Sequence, residues 1–526
     1  MRYLLFQSVD QAAERYPEAE AIRFSGQCLT YAELSRLSSN LARMLIDQGL
    51  SRGDRVGIYM NKGLESAIAI YGIMKAGGAY VPLDPLAPVS RIGYVIKDCG
   101  IRHLISKPAK LESLRQLLSE GCPLKHVIGV DNQNDLAVNC VSWNEVRQYD
   151  GRLSELKLTE QDLAYILYTS GSTGVPKGIM HTHRSGLSFA EWGAQTYGLV
   201  HGDRLSNHAP LHFDLSTFDF FAGAIAGATT IIVPEAFSKF PANMAKFIEQ
   251  EKISVWYSVP FALIQLMQHG GILSRDYGAL RWILFAGEVF PTKHLCQLMA
   301  MLPGVRFSNL YGPTETNVCT YYHVTTSPEN TDETIPIGRP CRNVEDLVVD
   351  MDDRPVQPGE VGELLIRGGV VMKGYWGQPE KNRSAFYRRP AFDQFEELFY
   401  RTGDLVQLDN EGNYRYFGRK DRQIKTRGYR VELDEVEVAL LAYPGVEEAA
   451  VYTVPDGEAS NLIEAAIIPK KEQNFTESEL MEHMAKRLPA YAIPVRVDVL
   501  QDFPRTSTGK IDRRTLQTLA IERKNS

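Results

Sequence analysis

Residues 163–178 read "LAYILYTSGSTGVPKG". A run of apolar and β-branched residues, the length of a buried strand, gives way to a loop of Gly, Ser and Thr that closes on Pro176, Lys177 and Gly178. Open α/β sheets collect ligands at the carboxyl ends of their strands, where this loop stands. Its N–H groups and the hydroxyls of Thr169, Ser170, Ser172 and Thr173 can cradle an anion, and Lys177 adds charge. The spacing is not that of a Walker A loop. Counting from Gly171, Pro176 stands where the second glycine belongs. Nor is it a nucleophile elbow, because Ser170 holds the first glycine position of G-x-S-x-G. Composition alone leaves a plain surface loop open as an alternative.

The same strand-then-turn pattern recurs outward from this stretch. "RVGIYM", "TTIIV", "ISVWYSV", "LRWILFAG" and "VRFSNLYG" are short apolar runs, most ending in Gly or Pro, with helical stretches between several of them. Thr30 and Glu33 have capping-box spacing. Leu34, Leu37, Leu41 and Leu45 make one apolar face and Gly49 suits the stop, so 30–50 reads as a helix, with another over 65–76. This is an α/β chain with largely parallel sheets. From about residue 335 short strands such as "GELLIRGG" and "GNYRYFGR", joined by turns, predict an antiparallel, β-barrel-like subdomain. Beyond "GRKDRQIK" a helix near 433–442, strands near 447–454 and 461–468, and a helix capped at Thr476 predict a small α+β unit. The expected domains are therefore 1–420, with 335–420 β-rich, and 421–526.

Composition bounds the function. The chain has 526 residues, 44% hydrophobic and 23% charged, with a formal net charge of -7, which does not favour a nucleic-acid partner. Seven scattered cysteines without a C-x-x-C pair argue against a disulfide framework or a zinc site and fit a cytoplasmic setting. No apolar run is long enough for a membrane span, and the N-terminus has no signal-peptide core.

Three further motifs carry chemistry. In "NLYGPTE" (309–315) Tyr311 can stack on a purine, and Glu315 can hold magnesium through oxygen. In "YRTGDL" (400–405) Asp404 can accept two hydrogen bonds from a ribose diol. In "PRTSTGKIDRR" (504–514) Lys510 stands in a small-residue turn before a helix. Each alone reads equally as a structural turn, an Asx-turn or a solvated lysine. Together with "LTYAELS", "KAGGAYVPLDP", "FDLS" and "GRKDRQIKTRGYRVE", in this order, they make the chain resemble the adenylate-forming superfamily. The resemblance runs from about residue 8 to 516 and is to its amino-acid-activating branch.

That resemblance implies a reaction and a set of roles. A carboxylate attacks the α-phosphorus of ATP, pyrophosphate leaves, and the acyl group then passes to a thiol. Lys510 is the lysine that bridges the substrate carboxylate and the phosphate, Glu315 the magnesium ligand, and Thr314 the residue beside the α-phosphate. Thr169, Ser170, Gly171, Ser172, Thr173, Gly174 and Lys177 cover the β- and γ-phosphates. Asp404 binds ribose with Arg419, Tyr416 and Lys425, and adenine lies against Tyr311 near Gly287, Glu288 and Asn309. Asp421 falls at the family's hinge, about which a mobile C-terminal domain turns between the two half-reactions.

Asp214, in "HFDLS", decides the class of acid by resemblance. In amino-acid-activating relatives an aspartate here pairs with the substrate's α-amino group, whereas a fatty or aryl acid would leave a buried carboxylate unpaired. A helix-capping aspartate is the plain alternative. His208 and His212 match no functional position and are expected to be structural. The family's pocket-lining positions are here Asp214, Leu215, Phe218, Tyr257, Leu284, Ala286, Leu310, Val318, Cys319 and Lys510. Apart from the two charged members the wall is apolar with one phenol and one thiol, which favours a small aliphatic amino acid. A methylene is worth only about 1–3 kcal/mol, so the wall alone does not separate proline from alanine or valine. The string is similar to that of stand-alone enzymes that activate L-proline. No carrier segment is found in the sequence, so the thiol is expected on a separate phosphopantetheinylated carrier protein. The alternatives are a ligase for another small amino acid such as alanine, an acyl- or aryl-CoA synthetase, or a non-catalytic nucleotide-binding regulator.

Overall fold

The structure, a computed structural model, describes residues 2–131, 136–154, 156–171, 173–392, 394–457, 460–470, 476–506 and 510–525. It separates into two compact units. The first comprises Met1–Pro85, Val95–Tyr168 and Gly178–Lys420, and the second Leu86–Tyr94, Thr169–Lys177 and Asp421–Ser526.

Two large sheets organise the first unit. In one, the strands Arg204–Asn207, Thr229–Ile232, Val255–Ser258, Trp282–Ala286 and Arg306–Tyr311 pair in parallel within a nine-stranded sheet. In the other, an eight-stranded sheet, Leu163–Thr169 follows Ala79–Pro82 in parallel. Near-continuous Val, Ile, Leu and aromatic runs suit parallel strands covered on both faces. The helix Tyr31–Asp47 begins where its capping box predicts. Glu33 N–H donates to Thr30 Oγ1 at 3.2 Å, and Thr30 N–H to the Glu33 carboxylate at 2.9 Å. It ends at Gly49, whose φ of +87° lets Leu50 N–H reach back to the Leu45 carbonyl. The helix Leu64–Lys75 is apolar on almost every side and is buried accordingly.

The β-rich region is a five-stranded sheet. Its longest strand, Phe395–Leu408, pairs antiparallel with Val361–Gly368, Phe386–Phe392 and Tyr414–Arg419. In the second unit Val446–Asp456 pairs antiparallel with Ser460–Pro469, which pairs in parallel with Arg496–Val499. Alternation splits the first of these strands between two cores. Val451 packs with Val436, Leu440 and Leu480, while Ala450, Tyr452 and Val454 pack with Phe503 and Leu516. The helix Glu477–Ala485 has the expected capping box at Thr476 and Glu479, and the basic C-terminal stretch forms a helix, Arg513–Asn525. All seven cysteines are free thiols, and among the described residues no helix is long and apolar enough to cross a membrane.

Candidate active site

Parallel pairing sets the expected pocket residues side by side. Tyr257 is in register with Leu284, Phe285 with Asn309, and Ala286 with Leu310. Leu215, Phe218, Tyr257, Leu284, Ala286, Leu310 and Val318 are all buried in one continuous core. The Phe218 and Tyr257 rings meet edge to face, 5.5 Å between centroids. Cys319 is not brought into this wall. It packs instead with Tyr311, Ile337, Leu364 and Val406, and burial pushes its thiol up to about 12, which leaves it unreactive.

Asp214 is half-buried at the N-cap of a helix, but its side chain makes no capping hydrogen bond, which removes the plain alternative for this residue. Burial first, and the charge of Asp214 second, push the phenols of Tyr165 and Tyr257 above their ordinary range. The carboxylate therefore stands within electrostatic reach of the apolar wall. The helix it opens is irregular, with Leu215–Thr217 α-helical, Phe218–Ala222 a π-turn and Gly223–Ala226 α-helical again. Such single π-turns concentrate at functional sites. His212 lies 3.8 Å from Asp84 and against the Phe213 ring, and half-buried His208 meets Ser258 Oγ at 2.9 Å.

The strand Arg306–Tyr311 delivers the second part of the site. Tyr311 is buried and its hydroxyl donates to Asp404 Oδ2 at 2.5 Å, while Arg419 donates to Asp404 Oδ1 at 2.8 Å. Antiparallel register places Asp404 directly opposite Arg419. Tyr416 lies near the Tyr311 ring, 6.5 Å between centroids, and the Asn309 amide is held by the Pro336 carbonyl. Gly287 takes φ +96° at the end of its strand, followed by half-buried Glu288. Tyr311, Asp404, Arg419 and Tyr416 thus form one connected group.

After Tyr311 the chain turns tightly. A Cβ on Gly312 would lie 1.7 Å from the Asn317 carbonyl oxygen, so only glycine fits. Two residues outside the motifs, His181 and Tyr375, hold this turn. His181 Nε2–H donates to the Thr314 carbonyl at 2.8 Å, with its Nδ1 on Ser185 Oγ and its ring stacked on Tyr165. Burial lowers this imidazole to about 4, so it stays neutral at physiological pH. Tyr375 hydroxyl donates to Glu315 Oε1 at 2.8 Å, and Met372 N–H donates to the Glu315 carbonyl. Glu315 is completely buried, so losing the phenol would strip a donor from a carboxylate that water cannot reach. Tyr375→Phe is expected to lower stability by about 1–3 kcal/mol in urea unfolding. An unchanged midpoint and slope would mean the bond contributes nothing.

No group of three or more His, Cys, Asp or Glu able to hold a metal occurs among the described residues. Magnesium bound together with phosphates needs only one or two carboxylates, and the hard oxygen of Glu315, beside the Thr314 hydroxyl in sequence, fits that requirement.

A second anchoring device lies behind Asp214. Lys62 is buried and donates to the carbonyls of Asn207, His208 and Ala209 at 2.6, 2.9 and 3.1 Å, fixing the chain that leads to Asp214. Asn207 in turn donates to the buried Asp219 carboxylate at 3.1 Å.

The glycine loop and the remaining expected residues belong to the second unit. Gly171 is required by the loop's own backbone, since a Cβ there would lie 2.1 Å from the Val175 carbonyl oxygen. Ser170 Oγ donates to the Arg430 carbonyl at 3.0 Å, and the buried Lys177 ammonium is 3.8 Å from Glu432. Thr169 is half-buried, Thr173 exposed, Gly174 takes φ +78°, and Ser172 lies outside the described residues. Lys425 pairs in register with Arg430, and Asp421, exposed, accepts from Gln423 N–H at 3.2 Å. Lys510 is exposed, its carbonyl accepting from Thr506 N–H at 2.8 Å.

The chain matches the AMP-binding enzyme family over residues 9–376 and the AMP-binding enzyme C-terminal domain over residues 435–510. It is 37% identical to an L-proline–[L-prolyl-carrier protein] ligase of Pseudomonas fluorescens, covering 97% of this chain and 98% of that protein. It is also 37% identical to a ligase of the same name from Streptomyces coelicolor, covering 93% of this chain and 91% of that protein. Among solved structures, the Vibrio cholerae adenylation domain AlmE, in complex with glycyl-adenosine-5'-phosphate, superposes with a TM-score of 0.85 at 25% identity, covering 99% of this chain and 98% of that one. With a match across most of its length and relatives alike nearly end to end, this chain belongs to the AMP-binding enzyme family, the adenylate-forming superfamily.

Proposed function

We propose that the protein is an ATP-dependent ligase that activates L-proline as prolyl-AMP and passes the prolyl group to the phosphopantetheine thiol of a carrier protein. The observation that carries this reading is Asp214, a half-buried carboxylate not spent on capping its helix and set beside an otherwise uncharged wall. By resemblance to the amino-acid-activating branch, Asp214 pairs with the substrate's secondary ammonium, and the apolar wall suits the methylenes of a five-membered ring. Substrates with a second charge find no partner among Leu215, Phe218, Tyr257, Leu284, Ala286, Leu310 and Val318. The name shared by two relatives alike over nearly their whole length supports the choice of proline over other small amino acids.

The two steps follow from these groups. A proline carboxylate oxygen attacks the α-phosphorus, the bond from that phosphorus to the bridging oxygen breaks, and pyrophosphate leaves. Asp214 holds the ammonium, the Asp404 carboxylate takes the ribose hydroxyls, and Tyr311, itself fixed by Asp404, offers its ring to adenine. Thr314 and Glu315 face the phosphates, Glu315 being the residue that would hold magnesium, which when bound neutralises phosphate charge. Gly287, Glu288 and Asn309 border the base, Arg419 supports Asp404, and Tyr416 lies beside Tyr311 on the nucleoside side. The loop 169–177, Lys425 and Lys510 enter this reading through the family's motifs, the loop over the outer phosphates and Lys510 as the cation for the developing charge, with Asp421 as the hinge. In the second step the carrier thiol loses its proton and attacks the prolyl carbonyl, and AMP leaves.

ATP–pyrophosphate exchange across a panel of acids tests the reading. L-Proline should drive exchange well above L-alanine, D-alanine, L-valine and benzoate. Faster exchange with any of these than with L-proline overturns it.

A further inference from the structure

Asn317 closes the turn that carries Thr314 and Glu315, lies just beyond the "NLYGPTE" motif, and has no role in the reading above. It is 3% exposed and takes φ +54°, a conformation Asn tolerates better than most side chains. Its amide Nδ2 donates to Thr217 Oγ1 at 2.9 Å. The Thr217 hydroxyl, itself buried, passes its one proton on to the backbone carbonyl of Asp214 at 2.6 Å, and Thr217 N–H donates to the same oxygen at 2.9 Å. The phosphate-side turn is thereby one hydroxyl away from the backbone of the residue assigned to the substrate ammonium. The π-turn starts at Phe218, the next residue. All of these residues belong to the first unit.

We propose that Asn317 and Thr217 are positioning residues that set the register between the amino-acid end and the phosphate end of the site. The proposal rests on the assignment of Asp214 to an amino-acid substrate. With the ring held by the wall and the ammonium held by Asp214, proline keeps only the torsion about its Cα–carboxyl bond to bring an oxygen onto the α-phosphorus. The separation of the two anchors must then be supplied by the protein, and a misplacement of about 1 Å can cost on the order of 10²-fold in rate. A hydrogen-bonded strut between the two anchors supplies it. A hydroxyl that accepts one bond and donates another transmits a displacement of either end to the other.

The test is a double-mutant cycle with Asn317→Gly, which keeps the left-handed backbone and removes the amide, and Thr217→Val, which keeps the shape and removes the hydroxyl. Each single variant is expected to lower kcat/KM for L-proline in ATP–pyrophosphate exchange by roughly 10–100-fold, with KM for ATP moved by no more than about twofold. The double variant is expected to be no worse than the poorer single one, because both remove one strut. Additive losses overturn the proposal, as do folded variants of wild-type kcat/KM or a rise in KM for ATP as large as the loss on proline. A lowered melting temperature with unchanged kcat/KM assigns the bond to folding alone and also overturns it. If Asn317→Gly fails to fold, Asn317→Asp, isosteric but without the donor, takes its place. Failure of the substrate reading shows separately, as a wild-type protein that L-proline does not stimulate; the cycle is then run with whichever amino acid does.

Discussion

Lys510→Ala should lower L-proline-dependent ATP–pyrophosphate exchange by roughly 10²–10³-fold, the scale of deleting one preorganised electrostatic stabiliser from a transition state that gathers negative charge. The Lys510 side chain is exposed, so truncation removes little packing and the melting temperature should stay within about 1 °C of wild type, as for surface changes away from special features. Loss of activity without loss of fold distinguishes a catalytic cation from a structural one. Lys510→Arg should recover only part of the rate, because a planar fork does not replace a compact ammonium at a single oxygen. Thioester formation from pre-formed prolyl-AMP should fall far less, since the α-phosphorus is no longer under attack. Exchange at the wild-type rate in the alanine variant would remove Lys510 from the chemistry.

The two units differ in how their assignments are supported. For Asp404 the geometry supports the role proposed above. Its two oxygens are each held by one donor, Tyr311 and Arg419, so the carboxylate is fixed in orientation. Tyr311 is oriented by the same contact, which couples the ring proposed for adenine with the oxygens proposed for ribose. The role proposed for Lys510, by contrast, rests on its motif and its charge alone, so its variants test the assignment most directly.

The strands and the ends at which ligands collect were legible because each signal is local. The run Leu163–Thr169 has the span that its apolar residues predict, Thr30 with Glu33 and Thr476 with Glu479 form the capping boxes their spacing predicts, and Tyr311 of "NLYGPTE" and Asp404 of "YRTGDL" meet through a side-chain hydrogen bond. What was not legible depends on partners distant in sequence. His181 is one more buried position in the strand Lys177–Thr182, and nothing in "KGIMHTH" says that its imidazole will meet the Thr314 carbonyl. Tyr375 comes to Glu315 because the short strand Gly374–Tyr375 pairs antiparallel with Lys177–Thr182, a pairing that two residues cannot announce. Lys62 looks like an ordinary surface cation in "MNKGLES" until three carbonyls converge on it. The π-turn at Phe218–Ala222 has no sequence signature. The family's motif positions put Cys319 in the amino-acid wall, but the chain leaves the turn at Asn317 with Val318 in the core that holds the wall and Cys319 in the cluster with Tyr311, a split that depends on the local bend.

Asp214→Leu should lower kcat/KM for L-proline by roughly 10²–10³-fold, the range expected when one partner of a buried, hydrogen-bonded charge pair is truncated at a cost of about 3–5 kcal/mol. The loss should appear mainly on the proline side, leaving KM for ATP nearly unchanged, because Asp404, Tyr311 and Arg419 hold one another without Asp214. The sharper measurement uses cyclopentanecarboxylate, which has the ring and the carboxylate of proline but no amine. In the wild-type protein this acid brings no cation to Asp214, and desolvating the carboxylate penalises it more than its missing contact alone would. In Asp214→Leu that penalty disappears, so exchange driven by cyclopentanecarboxylate should rise even as exchange driven by L-proline collapses. The two acids should approach parity, a change of preference that a merely destabilised protein could not produce. Equal losses on both acids would mean that Asp214 supports the fold of the wall and not the ammonium, and the amino-acid reading would then lose its principal residue.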